Sequence, residues 1–248
     1  MKNLRNQMNN YYSNVYWHFV GSPEDMDWSE IYRPSDIIIN GRQTKSDDTC
    51  MKILKSIIQT NKLLAKSTIR FDEFETEKFC CVTDIPIQNL KEHTKYYGNC
   101  AIGFEANTIY CSNFQPVSYI DSYYPIVNER IVDNYNQSNQ YQSIPKSDVK
   151  KNNDISYKNS KSYYDKKFIK KYGQEALSFI KPTIFSTNQE DTFYREREWR
   201  KIGNFEFGPN KIASIILPEN YFYEILEFLI TKNIKDVPIL TWELLENI

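Results

Sequence analysis

Phe193-Tyr194-Arg195-Glu196-Arg197-Glu198-Trp199-Arg200-Lys201-Ile202 is the stretch on which the reading of this chain turns. As a strand, with side chains alternating between faces, it puts Tyr194, Glu196, Glu198 and Arg200 on one surface and Arg195, Arg197, Trp199 and Lys201 on the other. Carboxylates two residues apart on one face repel, which raises the pKa of at least one of them unless cations or donors offset the effect. Such pairs gather at functional sites. The competing reading is a strand of alternating charge whose Arg and Glu side chains pair with a neighbour or stay solvated. On the functional reading Glu198 is the first catalytic candidate, Glu196 modulates it, and Trp199 anchors the opposite face to the core.

The rest of the chain sets the limits within which that stretch acts. A length of 248 residues suits one domain spanning 1–248 with a polar insertion. With 31 basic against 32 acidic residues the formal charge is −1, so composition makes no global case for nucleic acid or an anionic membrane. Five cysteines, Cys50, Cys80, Cys81, Cys100 and Cys111, form no C-x-x-C pair, which argues against a disulfide framework and against zinc. Reduced thiols and a cytoplasmic location are expected, and no metal site. The N-terminus has no apolar signal region and no run of about 18 apolar residues occurs, so no membrane segment is expected. Seven glycines leave no glycine-rich phosphate loop.

Periodicity supplies the elements. Tyr11 to Val20, aromatic and β-branched and closed by Gly21-Ser22-Pro23, reads as a first strand. Asp47 to Asn61 reads as a helix with Met51, Leu54, Ile57 and Ile58 inward and Asp47, Asp48 and Thr49 as caps. Lys78 to Ile85 is a buried strand, Gln88 to Tyr97 a helix ended by Gly98, and Cys100 to Phe104 a further strand. Val117 to Asp121 is short and extended. Asn134 to Lys161 is rich in Asn, Gln, Ser, Lys and Tyr and poor in aliphatics, and marks a flexible insertion over about 134–165. Lys166 to Ile180 reads as helix, Lys211 to Leu217 as strand, Tyr221 to Thr231 as helix and Pro238 to Trp242 as extended. Without regular βαβ alternation, the fold class is α+β with a mixed, mainly antiparallel sheet flanked by helices.

Two histidines bear on chemistry. His18, near the end of the first strand, is either a core or rim residue, or shares a cleft with Tyr194, Glu196 and Glu198, where it would donate to a polar substrate. His93 lies three and four residues before Tyr96 and Tyr97, so this aromatic cluster either faces a pocket or caps a helix end. Cys80 and Cys81, in an apolar strand without an adjacent base, read as inert packing.

Four pieces taken together, Tyr16-Trp17-His18-Phe19-Val20-Gly21, Phe79-Cys80-Cys81-Val82-Thr83-Asp84-Ile85-Pro86, His93 through Tyr97-Gly98 to Ala101-Ile102-Gly103-Phe104, and Phe193 to Arg200, resemble the AbiGi-like abortive-infection family over roughly residues 14 to 220. That resemblance implies a bacterial phage-defence role as the antitoxin of a toxin–antitoxin pair, with a protein partner. The layout is also similar, distantly, to the ADP-ribosyltransferase fold. This second resemblance implies NAD as a substrate, His18 on its ribose, Tyr97 stacking on nicotinamide and Glu198 or Glu196 as the late glutamate. Tyr194 and Arg200, from the glutamate face of the strand, and His93, from the aromatic cluster, are the further candidate binding residues.

Two functions follow as expectations: a phage-defence protein on an ADP-ribosyltransferase-like scaffold acting on NAD, or a non-catalytic antitoxin that binds and controls a toxin. Nucleic-acid binding through Lys146 to Lys171 is outweighed by the reading of that stretch as a solvated loop.

Overall fold

Antiparallel pairing around the first strand builds the molecule. The computed structural model describes residues 13–24, 26, 28, 31–39, 42–71, 74–121, 173, 175–185 and 191–247. Their strands are β1 (Val15–Phe19), β2 (Lys62–Leu63), β3 (Arg70–Phe71), β4 (Phe74–Glu75), β5 (Phe79–Thr83), β6 (Ala101–Glu105), β7 (Gln115–Pro116), β8 (Ser118–Asp121), β9 (Ile180–Thr183), β10 (Glu198–Ile202), β11 (Phe205–Glu206), β12 (Ile212–Leu217) and β13 (Ile239–Thr241). Seven of them form one sheet in the order β13-β12-β6-β1-β5-β10-β7. Every pairing in it is antiparallel except β12 with β13. The helices are α1 (Pro34–Ile39), α2 (Asp47–Thr60), α3 (Thr94–Tyr97), α4 (Ala106–Cys111), α5 (Phe222–Thr231) and α6 (Trp242–Leu245).

Strand alternation explains the two layers. Tyr16 and Val20 of the first strand region, Cys80 and Val82 of β5 and Ile102 and Phe104 of β6 face one side. There they meet Cys50, Met51, Leu54, Ile57 and Ile58 of α2 and Ile225 and Leu229 of α5. Trp17, Phe19, Ala101 and Ile216 face the other side, against Ile85, Leu90 and Trp242. The expected α+β class, with a mainly antiparallel sheet between helices, is the one observed.

Helix α2 shows how local chemistry sets an element. Its apolar residues recur at helical spacing and are the ones buried. The N-cap is Ser46, whose Oγ accepts from Thr49 N at 3.4 Å, one residue earlier than the sequence suggested, while Asp47 and Asp48 sit in the first turn. Asn61 ends the helix in the left-handed conformation.

Two glycines dock the end of β1 on the next layer. A Cβ on Gly21 would lie 2.6 Å from Gly98 Cα and 2.7 Å from Cys50 Sγ. Gly98, at φ +81°, stops the short helix α3 and lets the two backbones meet. Gly21 N then donates to the Tyr97 carbonyl at 2.8 Å.

Three expectations need correction. Phe193 to Ile202 is not one strand: Phe193–Glu196 is a 3₁₀ turn, Arg197 is left-handed at φ 47°, and β10 begins only at Glu198. Gln88 to Tyr97 is mostly 3₁₀, over Ile87–His93, before one α turn. Ile180, expected to end a helix, instead opens β9, which pairs in parallel with β8 outside the main sheet. The polar insertion at 134–165 lies outside the described residues, as does the Lys146 to Lys171 stretch, and Gly173 and Glu175 to Leu177 are the helical residues described near 166–180.

Candidate functional site

The broken strand brings four charges into the interior. At Arg197 the chain turns through a conformation unusual for a residue with a Cβ. Asp84 holds it there, its carboxylate accepting from Arg197 Nε and, at 3.0 Å, from Nη2, while Asp84 N donates to the Arg197 carbonyl at 3.3 Å. Glu196 before this turn and Glu198 after it both reach Lys181 of β9: Nζ bonds Glu196 Oε2 and lies 3.1 Å from Glu198 Oε2. Arg200, two residues along β10 on the same face, grips Glu198 with Nε to Oε1 at 2.7 Å and Nη2 to Oε2 at 3.0 Å.

Each remaining polar atom of the cluster has a partner. Tyr97 OH donates to Glu196 Oε1. Arg200 Nη1 donates to the carbonyls of Ser178 at 2.8 Å and Ile180 at 3.2 Å, and Glu198 N donates to Tyr119 OH at 2.8 Å. Lys181 Nζ also sits 3.9 Å from the centre of the Phe193 ring, and Arg200 Cζ lies 4.3 Å from that of Phe79. Lys181, Glu196, Glu198 and Arg200 are between 1% and 8% exposed. Two cations and two anions, all buried and hydrogen-bonded, form a neutral quartet, the condition under which buried charge is tolerated.

The electrostatics separate the two glutamates. Burial pushes the Glu198 carboxyl up, but the charges of Arg200 and Lys181 outweigh it and hold the group down at about 2. For Glu196 burial wins over Lys181, with Glu198 adding to it, and the pKa is raised. Burial and then the Glu196 carboxylate push Tyr97 well above its ordinary value, so its phenol keeps its proton. Glu198 is therefore a firmly ionised, doubly held anion, and Glu196 is the more readily protonated of the two.

His93 faces Glu196 across a small depression. The space, about 30 Å³, is lined by His93, Tyr97, Thr192, Arg195 and Glu196, among others, and His93 Nε2 has no hydrogen-bond partner. Burial, with Lys181 and Arg195 nearby, lowers the imidazole to about 4 and keeps it neutral near pH 7. A space of this size takes a water molecule. It is far smaller than the roughly 300–1,000 Å³ of pockets for drug-sized ligands.

His18 does not share this site. Trp17 pairs with Thr83, and Thr83 with Glu198, so Glu198 faces the side of Trp17, while the next residue, His18, takes the side of Tyr16. The ring contact of Tyr16 with Trp199, 5.4 Å between centres, confirms the parity. His18 Nδ1 bonds the Cys81 carbonyl at 2.8 Å, just past the single register pair of β1 with β5. Burial lowers its pKa against the effect of that bond. The expected cleft joining His18 to the glutamates is thus absent. Tyr194, expected on the glutamate face, is 61% exposed, because the 3₁₀ turn swings it outward.

Of the candidate residues, Glu196, Glu198, Arg200 and Tyr97 come together, His93 lies at their edge, and His18 and Tyr194 lie elsewhere. Sequence reasoning missed Lys181, Tyr119 and Asp84. Lys181 had one visible signal, a single cation inside Phe179-Ile180-Lys181-Pro182-Thr183-Ile184-Phe185, where alternation buries every second residue. Among the described residues no three His, Cys, Asp or Glu side chains gather as metal ligands, and no helix is long and apolar enough to cross a membrane. Cys50, Cys80 and Cys100 are buried free thiols, and burial pushes Cys80 up to about 12.

Residues 52–224, more than two thirds of the chain, match the model of a protein family described as "Putative abortive phage resistance protein AbiGi, antitoxin". The quartet, Tyr97 and Tyr119 lie inside the match, and His18 lies outside it. No curated protein and no solved structure matches the chain.

Proposed function

We propose, since the chain belongs to the AbiGi family of abortive phage resistance proteins, that it acts in phage defence as an antitoxin, by binding a partner toxin protein rather than by transforming a small substrate. The observation that carries this reading is the saturation of both glutamates: Glu196 and Glu198 spend their oxygens on Lys181, Arg200 and Tyr97. A carboxylate committed to buried cations fixes a fold and leaves little for a reacting centre.

The surface over the quartet supports a binding role. Tyr194 stands with its ring centre 5.7 Å from that of Tyr119 and 6.1 Å from that of Phe185, which is itself half-exposed. Arg195 pairs with Glu92 at 3.2 Å beside it. Exposed aromatics beside a charge pair are compatible with a protein-binding surface, and we take the toxin as the occupant on the strength of the family's description.

Stoichiometry tests the proposal. Titrating the purified toxin with this protein should abolish toxicity at a fixed molar ratio near equivalence. Neutralisation by far less than equimolar protein, growing with time, would mean catalysis and would overturn the binding reading.

A second reading, an ADP-ribosyltransferase-like enzyme acting on NAD, is favoured by one observation: Glu196, Tyr97 and His93 line the same depression. It requires Lys181 to withdraw and the roughly 30 Å³ space to widen severalfold. Its test is loss of NAD in the presence of the full chain, abolished by Glu198→Gln.

A further inference from the structure

A second concavity shares Trp28 with the surroundings of the quartet. It is an open depression of about 210 Å³ lined by Met26, Trp28, Thr68, Arg70 and Glu75. Trp28 is braced from behind: its ring stacks near-parallel on Tyr97, 6.4 Å between centres and 21° between planes, and Lys181 Nζ lies 5.9 Å from its centre. These contacts hold the indole in place at the depression.

The facing wall is the β3–β4 ribbon. Arg70 and Glu75 are direct cross-strand partners, so their side chains leave the same face side by side, about 5 Å apart at Cβ. Both are exposed at the rim. Thr68 Oγ1 donates to Glu75 Oε1 at 2.8 Å and steadies the carboxylate. An indole, a thioether, and a guanidinium donor beside a carboxylate held by Thr68 line one space.

We infer that this concavity binds a nucleobase, stacked on Trp28 and read at its edge by Arg70 and Glu75. Every base offers a π face to an aromatic side chain, and base edges carry an acceptor next to a donor, the complement of a guanidinium next to a carboxylate. The volume is of the order of one ring system, below the roughly 300–1,000 Å³ of pockets for drug-sized ligands. The base comes from a free mononucleotide or from the end of a single strand, two sources that the titration below separates.

Calorimetric titration of the full chain with GMP, AMP, CMP and UMP, and separately with a single-stranded DNA hexamer, tests the site. Saturable binding of at least one mononucleotide identifies a free nucleotide as the source, and binding of the hexamer alone identifies a strand. In either case Trp28→Ala should weaken binding about 5- to 150-fold, the range of base–aromatic stacking. Arg70→Ala and Glu75→Gln should each weaken it several-fold. Because Trp28 also touches the Ile31, Ile37 and Phe193 cluster, the two rim variants keep the test valid if Trp28→Ala misfolds. No binding by any probe up to about 10 mM, or binding unchanged in the rim variants, overturns the proposal.

Discussion

Arg200 and Glu198, two residues apart on one strand, lock together through two parallel bonds of 2.7 and 3.0 Å, and Lys181 closes the open side of the carboxylate at 3.1 Å. This arrangement ties β10 of the main sheet to the β8–β9 ribbon, because Arg200 also holds the carbonyls of Ser178 and Ile180.

Removing one member should cost far more than removing a matched pair. Lys181→Met leaves two buried carboxylates facing each other, and a loss of about 3–5 kcal/mol of unfolding free energy is expected. Lys181→Met/Glu196→Leu removes a cation and an anion together and should recover most of that loss. Urea midpoints of the two variants, compared with wild type, check the difference.

Stability should fall on acidification in two overlapping windows. His93 is lowered from 6.5 to about 4 in the folded protein, so the unfolded chain binds more protons between those values and stability declines as pH drops through them. Glu198, lowered from 4.5 to about 2, contributes stability that is complete above 4.5 and is lost as pH falls toward 2. Glu196, raised, acts in the opposite sense above 4.5. His93→Gln should flatten the decline between pH 6.5 and 4, measured by urea denaturation across that range, while His18, also lowered, leaves a residual slope.

The contact of Gly21 with Gly98 should not admit a methyl group. Gly21→Ala would bring its Cβ within 2.8 Å of the Tyr97 carbonyl oxygen as well as against Gly98 and Cys50, and a loss of about 1–3 kcal/mol is expected from overpacking. Thermal or urea denaturation reads it directly.

Tyr194 separates binding from stability. Tyr194→Ala, at a 61% exposed position, should change stability by no more than about 0.5 kcal/mol. If the aromatic surface is the docking site, the same variant should weaken toxin binding about tenfold or more. Titration of the purified toxin measures this.

Legibility in the sequence followed the reach of each signal. Strands β1, β5, β6, β10 and β12 and helices α2 and α5 announce themselves through alternation or helical spacing that local sterics and one-sided burial impose. What failed was set by distant partners. Nothing local in Arg195-Glu196-Arg197-Glu198 reveals a left-handed Arg197, because Asp84, 113 residues earlier, holds it there. Lys181, just past the expected helix over 166–180, was assigned no role, because its burial depends on two glutamates brought from another segment. His18 was correctly placed near the end of a strand, but which face it takes follows from a register that only the pairing of β1, β5 and β10 defines.

The central claim is that the buried glutamates serve the fold and that defence works by binding. It is tested most directly by the double variant Glu198→Leu/Arg200→Met, which replaces a buried ion pair by apolar residues and leaves Lys181 with Glu196. Once its urea midpoint shows that it folds, its neutralisation of the toxin is titrated beside wild type. The account predicts the same equivalence point. A folded double variant that no longer neutralises the toxin would contradict it, and would return Glu198 to the chemistry.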